Sequence, residues 1–222
     1  MITLNEAIAQ RHSVRAYTEK KIEGEVKEDL LAFIEEINKE ADLHIQLVCD
    51  EPKAFSSALA RYGRFSGVEN YIVLAGKKCR DLHEKCGYYG EKIVLRAQQL
   101  GLNTCWVALT FKKVPEAFEI AKDEKFVMVI AVGYGRTKGS AHHSKNLGEF
   151  YEADQNPPKW FMDGVHAASL APTATNQQKF RFFYKDGKIS AKAGIGIHSD
   201  TDLGIVKYHF EIGADKDHSI WE

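Results

Sequence analysis

A two-residue turn, Asp186-Gly187, places the strongest constraint on how this chain can fold. It joins two strand-like segments, 181–185 and 188–191, and Asp-Gly favours the left-handed torsions of a tight β-hairpin. Such a turn can join antiparallel strands, whereas parallel strands need a long crossover connection. Helical and strand patterns are interspersed along the rest of the chain. The sequence therefore argues against a purely parallel sheet and predicts one mixed α+β domain over residues 1–222.

Apolar periodicity and turn residues predict the individual elements. A capping box, Thr3 with Glu6, begins the first helix, and Gly101 ends the longest one. The predicted helices are 3–11, 26–37, 87–100, 114–118, 160–169 and 202–212. The predicted strands are 45–49, 71–75, 105–109, 126–132, 181–185 and 188–191. Residues 133–158 form a long polar connection, and connections of this size inside compact domains are often functional.

Charge and leader patterns narrow the partners and the compartment. The formal net charge is -1, so no basic field for nucleic acid is expected. The N-terminal residues lack the apolar core of a signal peptide, and no later apolar run is long enough to span a bilayer. We therefore expect a cytoplasmic protein that binds neither nucleic acid nor membrane.

The cysteines do not form a recognisable disulfide or metal pattern. They lie at Cys49, Cys79, Cys86 and Cys105, without a C-x-x-C pair. Reduced thiols are expected in the absence of an export signal. His83, between Cys79 and Cys86, suggests zinc, but a fourth ligand at a suitable spacing is missing. The sequence predicts no metal site.

Two segments carry side chains suited to ligand binding. Arg11, Ser13 and Arg15 place two guanidinium groups and a hydroxyl within five residues. Such donors suit a phosphate monoester, although a solvated basic turn has the same composition. Residues 171–178, A-P-T-A-T-N-Q-Q, offer amide donors and acceptors at Asn176 and Gln178. That chemistry suits a flat heteroaromatic ring, and an Asx-type turn explains the residues equally well.

Other segments are weaker candidates. The join 101–107 between the long helix and the next strand could face a ligand or form a plain loop. Residues 133–136, G-Y-G-R, are not a dinucleotide fingerprint, because no helix and no ribose-binding acid follow. Lys145 could reach a phosphate as a point charge, whereas His142 and His143 are best explained as surface residues.

Taken together, these segments resemble the nitroreductase family of flavoproteins. R-H-S-V-R at 11–15 resembles the family element R-[RH]-S-x-[RK]. G-Y-Y-G-E at 87–91, followed by G-L-N-T-C-W at 101–106, is similar to the central helix and its GLGTCW loop. V-G-Y-G at 132–135 resembles the strand end written GYP, and 171–178 resembles APSAxNxQP. The four elements span most of the chain, which makes their combination far more specific than any one of them.

The chain departs from the family pattern in two respects. In most relatives the A-P-S-A element precedes the central helix, whereas here 171–178 follows it. This order resembles a divergent branch, the TM-type nitroreductases. Gly135 stands where relatives have proline. The rearrangement puts the geometry of the pocket and the range of substrates in doubt.

The resemblance implies a three-layer α/β/α fold, with a mixed, mostly antiparallel sheet flanked by helices, and a bound FMN. Arg11, Ser13 and Lys145 would hold its phosphate and ribityl chain, with Arg136 and Lys138 as competitors for the lysine's role. Arg15 would approach the pyrimidine edge of the ring, and Asn176 and Gln178 would bond to the ring. The full set of implied cofactor-binding residues is Arg11, His12, Ser13, Arg15, Thr104, Cys105, Trp106, Lys145, Asn176 and Gln178.

The implied function is an FMN-dependent oxidoreductase that takes electrons from NADH or NADPH. It would reduce nitroaromatics, quinones or similar electron-poor small molecules in a ping-pong hydride mechanism, without a catalytic side chain. Two alternatives remain: a non-catalytic flavin-binding or storage protein, and a relative with other flavin chemistry, such as dehalogenation or flavin breakdown.

The resemblance also implies a homodimer with FMN at or near the subunit boundary. The small residues Gly87, Gly90 and Ala97 on the central helix would let a second helix approach closely. Packing within the chain is an equally good explanation of that edge. The rearranged order also leaves open a site completed by one chain.

Overall fold

The computed structural model of the protein describes residues 1–154 and 156–221. Within it the chain forms two compact units. The first unit comprises Met1, Arg11–Leu82 and Ile93–Ala141, and the second comprises Ile2–Gln10, His83–Lys92 and His142–Glu222. Compact units of one chain need not fold independently, so the single domain stays a prediction.

Helices and strands are interspersed along the described chain, as the sequence patterns predict. The helices are α1 (Leu4–Gln10), α2 (Gly24–Ala41), α3 (Ala58–Tyr62), α4 (Leu82–Gln99), α5 (Lys159–Ser169) and α6 (Ser199–Ala214). The strands are β1 (Gln46–Val48), β2 (Tyr71–Lys77), β3 (Asn103–Val107), β4 (Glu124–Gly133), β5 (Tyr151–Ala153), β6 (Phe180–Lys185) and β7 (Lys188–Ala193). The α+β class is confirmed.

The first unit is built on an antiparallel sheet with strand order β1-β2-β4-β3. Tyr71 lies opposite Ala131 in β4, and Cys105 of β3 lies opposite the same alanine from the other side. Strand β2 is buried over its first six residues, which explains its continuous apolar run. Tyr17, Phe55 and Phe65 complete the apolar core on this sheet.

The second unit contains a three-stranded sheet with order β5-β6-β7. The Asp186-Gly187 turn joins β6 and β7 with φ angles of 50° and 76°, so the predicted hairpin is confirmed. Strand β5 pairs with β6 in parallel, with Tyr151 opposite Phe182. Both sheets together are therefore mostly antiparallel with one parallel pair.

A close crossing of α4 and α6 organises the helices of the second unit. A Cβ atom on Gly87 would lie 2.0 Å from the carbonyl oxygen of Thr201, and one on Gly204 would lie 2.0 Å from that of Glu84. Only glycine allows backbones to approach so closely. The small-residue edge at Gly87 therefore serves packing against a helix of the same chain.

Buried polar groups reinforce this helical packing. His209 on α6 contacts Glu91 on α4 through Nε2 at 2.8 Å, and the carbonyl of Ala167 on α5 through Nδ1 at 3.1 Å. Both ionisable side chains are fully buried. A carbonyl oxygen only accepts hydrogen bonds, so Nδ1 carries a proton and the imidazole orientation is fixed.

The main differences from the predicted elements have local causes. Helix α4 begins at Leu82, five residues before the predicted start at 87. Helix α3 is only one turn and a half long, and Ser57 caps it by accepting from the Ala60 N–H. Short elements like α3 and β5 carry too few residues to show a periodicity.

The described part of the chain lacks disulfides, clustered metal ligands and membrane-spanning helices. No disulfide joins its cysteines. None of its clusters of His, Cys, Asp or Glu side chains is suited to hold a metal ion. None of its helices has both the length and the apolar character needed to cross a membrane.

Candidate functional site

The predicted arginine segment lies alongside strand β3 in the first unit. Ser13 pairs with Thr104 in a parallel bridge, and the Val14 N–H donates to the Thr104 carbonyl at 3.0 Å. This pairing brings residues 11–15 next to residues 104–106, which are about ninety positions away in sequence. Two of the predicted site segments thus meet within one unit.

Two guanidinium groups act on the buried thiol of Cys105 in this cluster. Burial raises the pKa of the Cys105 thiol. The positive charges of Arg15 and Arg11 lower it, and so does a hydrogen bond with Ser13. Arg11 is itself buried, whereas Arg15 is exposed and lies over the Phe65 ring at 5.9 Å. The cluster is therefore a concentrated positive region without a carboxylate among the groups acting on the thiol.

His12 adds a buried nitrogen, Nδ1, that a bound ligand could pair with. Its Nδ1 is buried and has no hydrogen-bond partner among residues 1–154 and 156–221. Buried polar atoms are nearly always paired in folded proteins. A Cβ on Gly139, whose φ is +78°, would lie 2.7 Å from the His12 Cβ, so this glycine lets the chain pass close to His12. Two guanidinium groups and an unpaired imidazole nitrogen fit an oxygen-rich anion such as a phosphate monoester.

The segment after β4 holds the arginine segment in place. Tyr17 donates its hydroxyl to the Val14 carbonyl at 2.8 Å, and burial raises the pKa of this phenol. Arg136 donates its Nε to the Tyr17 carbonyl at 2.7 Å. One N–H of the Arg136 guanidinium thus already donates to the main chain. Arg136 is therefore a weaker candidate for binding a phosphate than Lys138 or Lys145.

The replacement of proline by Gly135 has a physical explanation. The Gly135 N–H donates to Oδ1 of Asn103 at 3.1 Å, and proline has no N–H to donate. A Cβ at this position would also lie 2.7 Å from the same Asn103 oxygen. A proline at this position would lose the hydrogen bond and bring its ring against Asn103.

The other predicted site residues lie in the second unit, around a turn at residues 173–178. Thr175, Asn176 and Gln178 have φ angles of 51°, 55° and 49°, in the left-handed region. Non-glycine residues rarely adopt it, and each costs on the order of 1–3 kcal/mol unless the surroundings hold it. Such local strain is typical of segments that present side chains to a ligand.

Gln178 and Lys145 are tied to one another. The Gln178 side chain is buried, accepts from the Lys145 N–H at 2.9 Å and donates to the His143 carbonyl at 2.8 Å. The Lys145 ammonium donates to the carbonyls of Gln177 and Gln178 at 3.0 and 3.4 Å. Asn176 is exposed and donates to the His143 carbonyl at 3.0 Å. Asn176 is therefore the more accessible of the two predicted ring-binding amides.

One buried carboxylate in this region had no signal in the sequence. Asp202, on α6, accepts from the Ala174 N–H at 2.9 Å and from Nε2 of Gln177 at 2.8 Å. In the sequence it is simply an acid in the first turn of a predicted helix, where acids are common. Only the fold shows that this side chain points at the turn.

Comparison with known families identifies the chain. A family model described as "Putative TM nitroreductase" matches residues 3–214. The chain belongs to this nitroreductase family. The match confirms the resemblance inferred from the motifs, including the rearranged branch, and it places all ten predicted site residues inside the matched range.

Solved structures agree with this assignment. A nitroreductase-type protein from Thermotoga maritima, solved by crystallography, is 27% identical to this chain. The match covers 96% of this chain and 83% of that protein, with a TM-score of 0.68. A nitroreductase-type protein from Desulfovibrio desulfuricans, in complex with FMN, is 19% identical over 67% of this chain and 95% of its own, with a TM-score of 0.52. A nitroreductase family protein from Streptococcus pneumoniae is 15% identical over 68% and 99%, with a TM-score of 0.54. The last two show a shared fold alone. No curated protein matches the chain.

Proposed function

We propose that the protein is an FMN-dependent oxidoreductase that uses NADH or NADPH to reduce nitroaromatics, quinones or similar electron-poor small molecules. The observation that carries the proposal is the positive cluster of residues 11–15 beside β3, with its buried and unpaired His12 Nδ1. It occurs in a chain of the nitroreductase family, and the Desulfovibrio protein of the same fold is described with FMN. A cationic pocket for a phosphate monoester is what such a cofactor requires.

The donors of the first unit have separable roles in this proposal. Arg11 offers a fork of N–H groups to the phosphate, because its buried position limits competition from water. Ser13 adds a hydroxyl, and His12 gains a partner for its Nδ1. Arg15 is exposed and provides a positive charge at the pyrimidine edge. The backbone of Thr104, Cys105 and Trp106 lines the ring.

The second unit carries predicted donors of its own. Asn176 offers its side-chain amide to the ring from an exposed position. Gln178 supports the loop of residues 143–145 and faces the ring only if it gives up a bond within the chain. Lys145 holds the turn through its carbonyl contacts, and its ammonium retains one donor for a phosphate.

The chemistry assigned to the chain itself is binding and electrostatics. FMN, when bound, supplies the electron transfer between a nicotinamide and an acceptor. Arg15 stabilises negative charge at the pyrimidine edge, because a preorganised cation needs no reorganisation. Cys105 stays a neutral thiol near pH 7, since burial raises its pKa, and so takes no part as a nucleophile.

The proposed assembly is a homodimer. Its support is the family membership alone, because the small residue Gly87 is used within the chain. A permanent dimer buries more than about 2,000 Å² and stays associated on dilution. Light scattering between nanomolar and micromolar protein tests this, and a flavin-loaded, active monomer contradicts it.

A reconstitution experiment tests the proposed function. The protein is incubated with excess FMN, desalted, and its visible spectrum recorded; near-stoichiometric flavin is expected. The loaded protein is then reduced anaerobically with NADH or NADPH and reoxidised with a panel of nitroaromatics and quinones. Retention of FMN without reduction by either nicotinamide indicates a flavin-storage protein. Failure to retain any FMN contradicts the proposal.

A further inference from the structure

The turn at residues 173–178 is held from a distance by a single carboxylate. Asp202 accepts from the Ala174 N–H with both oxygens, at 2.9 and 3.1 Å, and from the Gln177 side chain at 2.8 Å. Its side chain lies on α6, almost thirty residues after the turn. The contact is a long-range clamp within the second unit and does not arise from the turn's own sequence.

The strain in the turn explains why a clamp is needed. Thr175 and Asn176 follow Ala174 directly and both adopt left-handed torsions, as does Gln178. Non-glycine residues relax from left-handed torsions to other conformations unless several contacts hold them there. The Ala174 N–H and the Gln177 side chain bracket Thr175 and Asn176, so Asp202 fixes the turn on both sides of the strained pair.

The surroundings of Asp202 show that its carboxylate contacts the turn and not solvent. Only 3% of the residue is exposed, and burial raises the pKa of its carboxyl, while the bonds from Gln177 and Ala174 oppose that rise. Burying a carboxylate is costly, and it is tolerated where strong hydrogen bonds compensate. Gln177 extends the network, because its Nε2 also donates to the Ile197 carbonyl at 2.7 Å.

We propose that Asp202 is a positioning residue for cofactor binding: through Ala174 and Gln177 it holds the left-handed turn that presents Asn176 to FMN. This inference rests on the proposed function, since Asn176 touches the ring only if FMN binds as described. Asp202 itself touches neither cofactor nor substrate. Its loss therefore weakens binding by allowing the turn to relax.

The test compares Asp202→Asn with a matched control, Asp200→Asn. Both changes remove one negative charge from the first turn of α6, but Asp200 is exposed. An amide at 202 presents its NH₂ group to a donor, either Ala174 or Gln177, so one contact of the clamp is lost. Hydrogen exchange of the Ala174 amide reports the turn, and flavin fluorescence gives the FMN Kd of the apoprotein.

For Asp202→Asn we expect faster exchange at Ala174 and an FMN Kd raised about tenfold, because FMN binding must then re-form the turn that the lost charge-assisted hydrogen bond held. The visible circular dichroism of FMN at saturation is expected to change, because it reports the groups around the ring. Asp200→Asn is expected to match the wild type in all three measurements. Urea unfolding of the FMN-free variants shows whether a loss of affinity exceeds any loss of stability.

Other outcomes separate this inference from the proposed function. Faster exchange at Ala174 with an unchanged FMN Kd and spectrum overturns the positioning role and leaves the FMN proposal intact. Unchanged exchange at Ala174 overturns the clamp itself. If Asp202→Asn does not fold, Gln177→Met, which removes one clamp contact without altering a buried charge, is expected to raise the Kd about threefold. If wild-type protein binds no FMN, the proposed function and the positioning role both fail, and only the exchange result bears on the clamp.

Discussion

Glu211 is the contact point between α6 and the C-terminal segment, and its removal is expected to destabilise the protein strongly. The carboxylate accepts from the Tyr88 hydroxyl at 2.5 Å, from Nε1 of Trp221 at 2.5 Å and from Nδ1 of His218 at 2.9 Å. Glu211 and Tyr88 are buried, and Trp221 packs on Phe210 at a centroid distance of 5.2 Å. Burial raises the pKa of Tyr88, and its hydrogen bond to Glu211 raises it further, so the phenol remains a donor at all ordinary pH values.

The magnitude follows from the donors that Glu211→Ala leaves behind. An unsatisfied buried donor costs about 1–3 kcal/mol, which applies in full to buried Tyr88 and in part to half-buried Trp221. His218 adds little, because its side chain is 64% exposed and water replaces the carboxylate. We therefore expect the free energy of unfolding to fall by about 2–4 kcal/mol. Glu211→Gln is expected to cost about 1–2 kcal/mol, since the tyrosine hydroxyl can accept from the new amide.

Urea unfolding followed by far-ultraviolet circular dichroism measures these changes, provided that the m-value stays constant. Glu152→Ala is the control, because Glu152 is 67% exposed and its only described ion pair, with Arg181, is 3.7 Å long. We expect that control to change stability by less than about 0.5 kcal/mol. A loss below about 1 kcal/mol for Glu211→Ala would show that the two short contacts do not hold the segment, and the reasoning would be refuted.

Three further predictions concern single residues. Arg11→Ala is expected to weaken FMN binding by about tenfold or more, and Lys145→Ala by less. The reason is that Arg11 is buried and its guanidinium can make two charge-assisted hydrogen bonds, whereas Lys145 is exposed. Equal Kd values for the two variants, measured by flavin fluorescence, would show that the phosphate lies elsewhere. Iodoacetamide is expected to modify exposed Cys79 before buried Cys105. The labelling rate of Cys105 is expected to rise only at high pH, because the pKa of its thiol is raised and the reactive thiolate forms above that pKa. Mass spectrometry across a pH series checks this order, and early labelling of Cys105 contradicts it. Gly204→Ala is expected to cost about 3 kcal/mol or more, because its Cβ would collide with the Glu84 carbonyl, whereas Gly148→Ala, which has open space, is the control; thermal unfolding of the two variants decides.

The local signals in the sequence were sufficient for most of the fold. The Thr3–Glu6 capping box forms as predicted, with contacts of 2.8 and 3.2 Å, and Gly101 ends α4 with a φ of +79°. These features depend on neighbours three or four residues away. Strand β5 was missed because its three residues are too few to show an alternating pattern.

The candidate site divides in the same way. The type of chemistry at Arg11, Ser13 and Arg15 is readable from their side chains, and the motif resemblance supplied the connection to Thr104. The clamp at Asp202 could not be predicted, because nothing in the first turn of a helix indicates which distant N–H it will face. The competition between Arg136 and Lys145 likewise required the main-chain contacts that each one makes.

The two glycines at the α4–α6 crossing have a consequence for how the protein can vary. At Gly87 and Gly204 there is no room for a Cβ atom between the two backbones, so backbone atoms limit how closely the helices approach. Substitutions in the surrounding side chains change volume, but they cannot draw the axes closer at that point. The buried pair of Glu91 and His209 spans the same two helices, so its 2.8 Å contact depends on the same close approach. A substitution that forces a side chain into the crossing would therefore also lengthen the contact of this buried pair.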